Sequence, residues 1–276
     1  MDGVREVRDA TAVPITPRRV IEAFLPDSGV ARLDLVYDTA NAAGVADQPL
    51  RLALRRMVTT GEIVLTGRGR SGTARLTDIG RRRLERDRVG LRLAVAQDQG
   101  QAPWDRQWRM LAVSAPESDR ATRDALRRRL TELGAVSVST GLYLSPHDLG
   151  ELLADLDPVH LVRATTGELN VRGVVDAHIL TEQLWPAGPI IAGYTIVEQV
   201  LADVEEATAS DHEMAVLVQQ LRLAEALERA MRTDPLIPAE LRDGPWPPSR
   251  TRRRWRRTWA ALTERLPGDL LYRGWM

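Results

Sequence analysis

The stretch RLALRRMVTTGEIVLTGRGRSGTARLTDIGRRRL, residues 51–84, is the most informative part of this sequence. Residues 47–88 around it contain 11 arginines and five acidic residues, which gives a net charge of +6. The whole chain is formally neutral, with 38 basic and 38 acidic residues, and every basic residue is an arginine. A basic segment in a neutral protein can attract a polyanion through its local field, although a solvated helix face is the alternative.

The residues before and within this stretch predict three helices. Thr16 and Pro17 are typical of an N-cap and a first helical position, and a second helix is predicted within residues 31–44. A third helix begins after a cap at Asp47. Its apolar stripe is formed by Leu50, Leu54, Met57 and Val58. The short turn between the second and third helices indicates a helix-turn-helix.

A hairpin and a basic helix follow the third helix. Ile63 to Leu65 and Ala74 to Leu76 alternate like strands, and glycines turn the chain between them. Thr77 and Asp78 then cap a basic helix that is predicted to run to about Asp87. Three helices followed by a hairpin predict a winged helix.

The arginines of the predicted winged helix have the chemistry of DNA recognition. The outward face of the third helix carries Gln48, Leu52, Arg55 and Thr59, with Arg51 and Arg56 beside them. Arginine reads guanine and glutamine reads adenine in the major groove, which admits a helix. An exposed face of a helical bundle is the alternative. The candidate DNA-binding residues are Gln48, Arg51, Arg55, Arg56, Arg68, Arg70, Ser71 and Arg75, while Arg81, Arg82 and Arg83 are expected to hold the DNA backbone.

The middle of the chain predicts a ferredoxin-like domain. Residues 95–104 resemble a linker, and the elements that follow have the order β-α-β-β-α-β, with a turn near Gly141, a second helix over residues 147–156 and a last strand over 159–165. The remainder is predicted as four helices, over residues 174–185, 190–207, 211–233 and 250–266. The last of these carries Trp255 and Trp259 on an apolar face. We therefore predict a mostly helical α+β fold with domains at 1–94, 95–172 and 173–276.

Several classes of function are disfavoured by the sequence. The absence of cysteine excludes disulfides, thiolate zinc sites and cysteine nucleophiles. The four histidines are scattered at His147, His160, His178 and His212, and GRGRSG lacks the ending of a phosphate-binding P-loop. We therefore expect no catalytic residues, no metal and no cofactor. No apolar run approaches the ~18 residues of a membrane helix and the first residues lack a signal-peptide pattern, so we expect a cytoplasmic protein.

The chain resembles the PaaX-type regulators, repressors of phenylacetate catabolism and their relatives. The resemblance begins with PLRLALRRMVTTGEI and GRGRSGTARLTDIGRRRL, and it continues through WDRQWRMLAV, LRRRLTELGAVSVSTGLYLSP and DPLIPAELRDGPW. Leu50, Arg51, Ala53, Leu54 and Arg56 match the family's recognition helix; Gly69, Arg70, Arg75, Leu76 and Thr77 match its wing; Gly141, Pro146, Asp234, Pro235 and Trp246 match its later motifs. The chain departs from the family pattern at residues 71–74, where Ser-Gly-Thr-Ala replaces an arginine, a serine and two aromatic residues.

The resemblance implies a homodimeric repressor that binds a palindromic operator in double-stranded DNA. It implies an N-terminal winged helix, a central Cas2-like domain of the ferredoxin type and a helical C-terminal domain. The effector that releases the DNA would be an aryl-CoA or another acyl-CoA. Two alternatives stay open: a protein-interaction scaffold, and a nuclease based on the Cas2-like domain. The nuclease is disfavoured because MLAVSAPESD carries no aspartate at the end of the first strand.

Overall fold

The computed structural model describes residues 14–154, 158–207, 212–266 and Leu271. The fold is α+β and mostly helical, with two small antiparallel sheets, which confirms the predicted fold class. The described residues form two compact units. The first comprises residues within 1–92, 194–230 and 250–276, and the second comprises residues within 93–193 and 231–249. The division into domains at residues 94 and 172 stays a prediction.

The first unit begins with a winged helix. Its elements are α1 (Pro17–Phe24), β1 (Ala31–Arg32), α2 (Leu33–Ala42), α3 (Asp47–Thr59), β2 (Ile63–Thr66), β3 (Thr73–Leu76) and α4 (Asp78–Asp98). The strands form a sheet of order β1-β3-β2, in which Ile63 pairs with Leu76 and Thr66 with Thr73. The predicted cap is confirmed at α1, where the Thr16 hydroxyl accepts from the Arg19 amide and Pro17 starts the helix.

Three details of the winged helix differ from the sequence predictions. The N-cap of α3 is Ala46, and Asp47 lies in the first turn. Val58 is 42% exposed, because it lies about 100° around the helix from the buried Met57 and leaves the stripe formed by Leu50 and Leu54. Helix α4 continues to Asp98 instead of ending near Asp87, so it takes in the first residues of the predicted linker.

Glycine 80 allows α4 to approach the end of α3 closely. A Cβ atom built on Gly80 would lie 2.1 Å from the carbonyl oxygen of Glu62, which is far inside van der Waals contact. The Thr77 hydroxyl lies beside it and donates to the carbonyl oxygens of Gly61 and Glu62. The turn after α3 and the start of α4 are therefore joined through backbone atoms.

The second unit contains the predicted ferredoxin-like sheet. Its elements are β4 (Trp108–Val113), α5 (Arg120–Glu132), β5 (Val136–Ser139), β6 (Leu142–Ser145), β7 (Leu161–Thr166), α6 (Ala177–Leu184) and α7 (Ala187–Gly193). The strand order is β5-β6-β4-β7, with every pair antiparallel. Buried residues cover both faces of the sheet: Leu111, Leu130, Tyr143, Leu149 and Leu153 on one, and Trp108, Leu144, Leu180, Trp185 and Ile237 on the other.

Two helix predictions for the later part of the chain are wrong in detail. In place of the helix expected over residues 147–156, the described residues contain a short 3-10 helix, Glu151–Leu153. There the Asp148 carboxylate accepts from the Gly150 amide and competes with helical hydrogen bonding. The helix expected over residues 190–207 is divided between α7 and α8 (Thr195–Glu206), and Gly193 at the break has low helix propensity.

Two more helices complete the described part of the first unit. They are α9 (Glu213–Met231) and α10 (Pro247–Thr263). The predicted apolar face of α10 is confirmed: Trp255 and Trp259 are buried and stacked, and the Trp255 indole donates to the carbonyl oxygen of Leu223 in α9. Across the described ranges, the helices include none whose length and apolar character would let it cross a bilayer.

Three of the four histidines have polar partners in the structure. His147 is largely buried, its Nε2 lies 3.0 Å from the carbonyl oxygen of Leu236, and burial lowers its pKa. His160 lies 3.5 Å from Asp119, which caps α5, and His178 lies 3.1 Å from Asp243. Within the residues that the structure describes, no three His, Asp or Glu side chains come together as a metal site would require.

Candidate nucleic-acid interface

Helix α3 turns a polar and basic face to the solvent. Leu50, Leu54 and Met57 are buried beneath it, against the other helices of the winged helix. The outward positions that the sequence predicts are all exposed: Gln48, Arg51, Leu52, Arg55, Arg56 and Thr59. Neither Arg55 nor Arg56 forms an ion pair with any residue in the described part of the chain. These two guanidinium groups are therefore available to an external anion.

The end of α3 is fixed by a buried carboxylate. Glu62 is 4% exposed, and its side chain accepts from Arg18 of α1, from Thr60 and from Arg83 of α4. Burial alone would raise the pKa of Glu62, but the hydrogen bonds from Arg18 and Thr60 outweigh burial and lower it below 4.5. We call Arg18, Thr60, Glu62 and Arg83 the Glu62 cluster. It joins α1, α3 and α4, and so fixes the direction of α3.

The tip of the hairpin folds against α2. Gly67 and Gly69 have φ angles of +83° and +57°, which favour glycine, and residues Gly69–Ser71 form one 3-10 turn. A Cβ on Gly72 would lie 2.9 Å from the carbonyl oxygen of Thr66. The carbonyl oxygen of Gly72 accepts from the amide of Leu33 at the start of α2. The wing is therefore compact, and it contacts the helix-turn-helix through its backbone.

Arginine 70 points back towards the helices. Its guanidinium lies 2.6 Å from Asp38 of α2 and 3.3 Å from Asp47 of α3, and its centre lies 5.2 Å from the Tyr37 ring. Asp47 also lies 3.5 Å from Arg51. Desolvation would raise the pKa of Asp47, but hydrogen bonds from Asn41 and Arg70 lower it. We call Tyr37, Asp38, Asp47, Arg51 and Arg70 the wing clamp.

The other candidate arginines divide into two groups. Arg68 at the wing tip and Arg75 on β3 are exposed, and neither has an ion pair within the described ranges. Arg81 lies near Asp78, and Arg83 joins the Glu62 cluster, so both have carboxylate partners inside the protein. Arg82 is exposed. Ser71 is exposed at the wing tip, and its hydroxyl donates to the carbonyl oxygen of Arg68.

The sequence does not reveal the acidic partners of this surface. Tyr37, Asp38 and Glu62 were absent from the candidate residues, and Asp47 was considered only as a cap. Asp38 is 32 positions from Arg70, and no local pattern indicates a pair at that separation. The one available signal is a chemical one: a dense group of arginines in a neutral chain has to lie near some of its acidic residues.

The end of the first strand of the second unit carries no catalytic carboxylate. Strand β4 ends at Val113, and Ser114, Ala115 and Pro116 follow it. Asp119, a few residues later, caps α5 by accepting from the Thr122 amide. This arrangement gives no support to the nuclease alternative.

Comparison with known proteins agrees with the architecture of the chain. Residues 101–169 match the family described as the PaaX protein central Cas2-like domain. The chain is also similar to the solved structure of the uncharacterized protein Rv0674 from Mycobacterium tuberculosis. That similarity has a TM-score of 0.50 and 24% sequence identity, over 95% of this chain and 96% of that chain. No curated protein sequence matches this chain significantly.

Proposed function

We propose that this chain, whose residues 101–169 match the PaaX central Cas2-like domain, is a PaaX-type regulator of transcription that binds double-stranded DNA through α3 and the wing. The family match supports a regulator in general terms. The DNA contacts, the repressor activity, the dimer and the effector are our proposals.

The exposed face of α3 is the observation that carries this proposal. Arg55 and Arg56 project from it without internal ion pairs, and Gln48 and Arg51 lie at its N-terminal half. An α-helix fills the major groove, where arginine binds guanine through two hydrogen bonds and glutamine binds adenine. The Glu62 cluster supports this use, because a helix that reads bases has to be held rigidly.

The wing supplies contacts to the DNA backbone. Arg68 and Arg75 are exposed on it, beside the exposed Ser71. Contacts to phosphate fix the position of a protein on the duplex without reading its sequence. We therefore propose that α3 provides most of the specificity and that the wing provides affinity that decreases with salt.

The regulatory cycle requires two copies of the chain and an effector. One recognition helix reads few base pairs, so we propose a homodimer on a palindromic operator. The effector is proposed to be an acyl-CoA or aryl-CoA that prefers the conformation unable to bind the operator. We place the protein in the cytoplasm, where the DNA and such thioesters are found.

Selection of bound fragments from the genomic DNA of the host tests this function. We expect the full-length protein to retain a small set of fragments that share a palindrome, with affinity that decreases steeply between about 50 and 200 mM salt. An acyl-CoA related to the neighbouring genes should then release the fragment. If no fragment is retained at low salt, DNA binding is contradicted and the protein-interaction scaffold becomes the better hypothesis.

A further inference from the structure

We propose that Arg70 is a positioning residue of the DNA-binding surface: it holds the wing tip against α2 and α3 so that Arg68 and Arg75 reach the DNA backbone. This inference rests on the proposed DNA binding. It assigns a role to Asp38, Asp47 and Tyr37, which the sequence did not identify as parts of the interface.

The backbone of the wing already directs its tip towards α2. The left-handed conformations of Gly67 and Gly69 bend the tip, and the carbonyl oxygen of Gly72 is bonded to the Leu33 amide at 3.0 Å. Arg70 contacts Asp38 and Asp47 of the two helices, whereas Arg68 is exposed with no ion pair among the described residues. The same short loop thus carries one arginine held by the helices and one open to an external anion.

The wing clamp forms a network instead of a single ion pair. The Arg70 guanidinium contacts two carboxylates from two helices, and it lies over the Tyr37 ring at 5.2 Å. An isolated exposed ion pair contributes little to stability, but several charges that share partners can hold a geometry. Asp47 is the shared partner, because it lies near both Arg51 on the recognition helix and Arg70 on the wing.

This arrangement sets the separation between the helix and the wing. A winged helix places its helix in one groove and its hairpin along the adjacent backbone, so the two elements have to keep a fixed spacing. The wing clamp provides an attachment between the two elements through two carboxylates and one tyrosine ring.

The effect of replacing Asp38 distinguishes this inference from an explanation in which only the long-range field of the protein affects DNA binding. Asp38 is an exposed acid beside the proposed DNA surface, so removal of its charge should strengthen DNA binding if only the long-range field matters. If Asp38 anchors the wing through Arg70, the same change should weaken binding. The sign of the effect therefore decides between the two explanations.

The test compares Asp38→Asn with Asp34→Asn in the full-length protein. Asp34 lies one turn earlier on α2 and pairs with Arg32, so this control removes the same charge without removing a partner of Arg70. The probe is the duplex that the wild-type protein retains from genomic DNA. We expect D38N to weaken binding about fivefold, a loss of the order of one ion pair, and D34N to leave it unchanged or slightly tighter.

Salt dependence provides the second measurement. Arg68→Gln should reduce the slope of log affinity against log salt by about 1, since one phosphate contact is lost. Arg70→Gln should weaken binding while the slope stays within error of the wild type, because the bound wing still makes the phosphate contacts of Arg68 and Arg75 and only the cost of ordering it is added. The double variant R70Q/D38N should bind no more weakly than R70Q alone, because both changes remove the same attachment.

Hydrogen exchange measures the wing clamp without DNA. Amides of residues 67–72 should exchange faster in D38N and R70Q than in the wild type, and at the wild-type rate in D34N. This inference would be overturned if D38N bound DNA more tightly than the wild type, or if R70Q and R68Q lost the same amount from the slope of log affinity against log salt. In either case, DNA binding by the wild type would leave the proposed function intact. A wild-type protein that retains no duplex would overturn the proposed function itself.

Discussion

Two groups of arginines in the winged helix are equally dense in the sequence but have different surroundings in the structure. Arg55 and Arg56 project into the solvent with no carboxylate partner among the described residues. Arg70 and Arg83 each contact acidic side chains within the winged helix. The difference shows that charge density along a chain does not by itself identify a binding surface. The internal acids decide which arginines remain available to an external anion.

The largest change in stability is expected when Glu62, which accepts from Arg83, is replaced. Glu62→Gln should lower the free energy of unfolding by about 3 kcal/mol, because it removes the buried negative charge that the guanidinium groups of Arg18 and Arg83 share. Denaturant unfolding of the full-length protein measures it. Glu85→Gln, an exposed acid on α4, is the matched control and should change stability by less than about 0.5 kcal/mol. Equal effects of the two variants would contradict the importance of the Glu62 cluster.

The arginines with no internal partner should show the opposite behaviour. Arg56→Ala is expected to weaken operator binding by about 2 kcal/mol, or roughly 30-fold, through lost contacts in the major groove. Its thermal stability should not change, since the side chain has no ion pair within the described ranges. Arg128→Ala on α5 removes an equally exposed arginine from the second unit and should leave DNA binding unchanged. An unaltered affinity in Arg56→Ala would exclude this residue from the interface.

Lowering the pH should weaken the Glu62 cluster. The pKa of Glu62 is lowered in the folded protein, so its contribution to stability is present above the ordinary value of 4.5 and is lost as the pH falls through the folded value. Titration of Glu62 alone changes the free energy of unfolding by at most about 1.4 kcal/mol per pH unit. Between pH 6 and pH 3 the free energy of unfolding should therefore decrease less steeply in Glu62→Gln than in the wild type. Parallel pH profiles of the two proteins would show that another carboxylate controls the acid response.

The smallest expected effect is a difference in stability between variants of two neighbouring arginines of α4. Arg83→Gln should lower the free energy of unfolding by about 1 kcal/mol, because Arg83 donates to the Glu62 carboxylate at 2.9 Å. Arg82→Gln should stay within about 0.5 kcal/mol of the wild type, because the side chain is exposed. Differential scanning calorimetry of both variants makes the comparison. A larger loss in Arg82→Gln would reverse our assignment of these two side chains.

Local patterns in the sequence were sufficient to predict most of the winged helix. The Thr16 cap, the buried positions Leu50 and Leu54, and the strands β2 and β3 depend on neighbours in the chain, and the structure confirms them. The predicted alternation fails at Leu65, which is 37% exposed. The exposure of Val58 was not predicted, because a helix end leaves the core gradually and the apolar pattern does not mark where.

Partners that are distant in sequence could not be predicted. The contact of Asp38 with Arg70 and that of Arg18 with Glu62 depend on how the helices pack, and no spacing rule relates their positions. The short 3-10 helix at residues 151–153 was missed for a different reason. Its apolar spacing is that of a helix, but the Asp148 side chain bonds to the Gly150 backbone and ends the turn.

Glycine 80 has a consequence for how this basic segment can vary. The exposed Arg82 beside it can be exchanged for many residues with little effect on folding, whereas any side chain at position 80 meets the Glu62 carbonyl oxygen. A lineage of such chains could gain and lose charges around this position, and so change the strength of the proposed DNA binding, provided that this one glycine is kept. A position that tolerates many side chains, Arg82, would then lie two residues from Gly80, a position that tolerates only glycine.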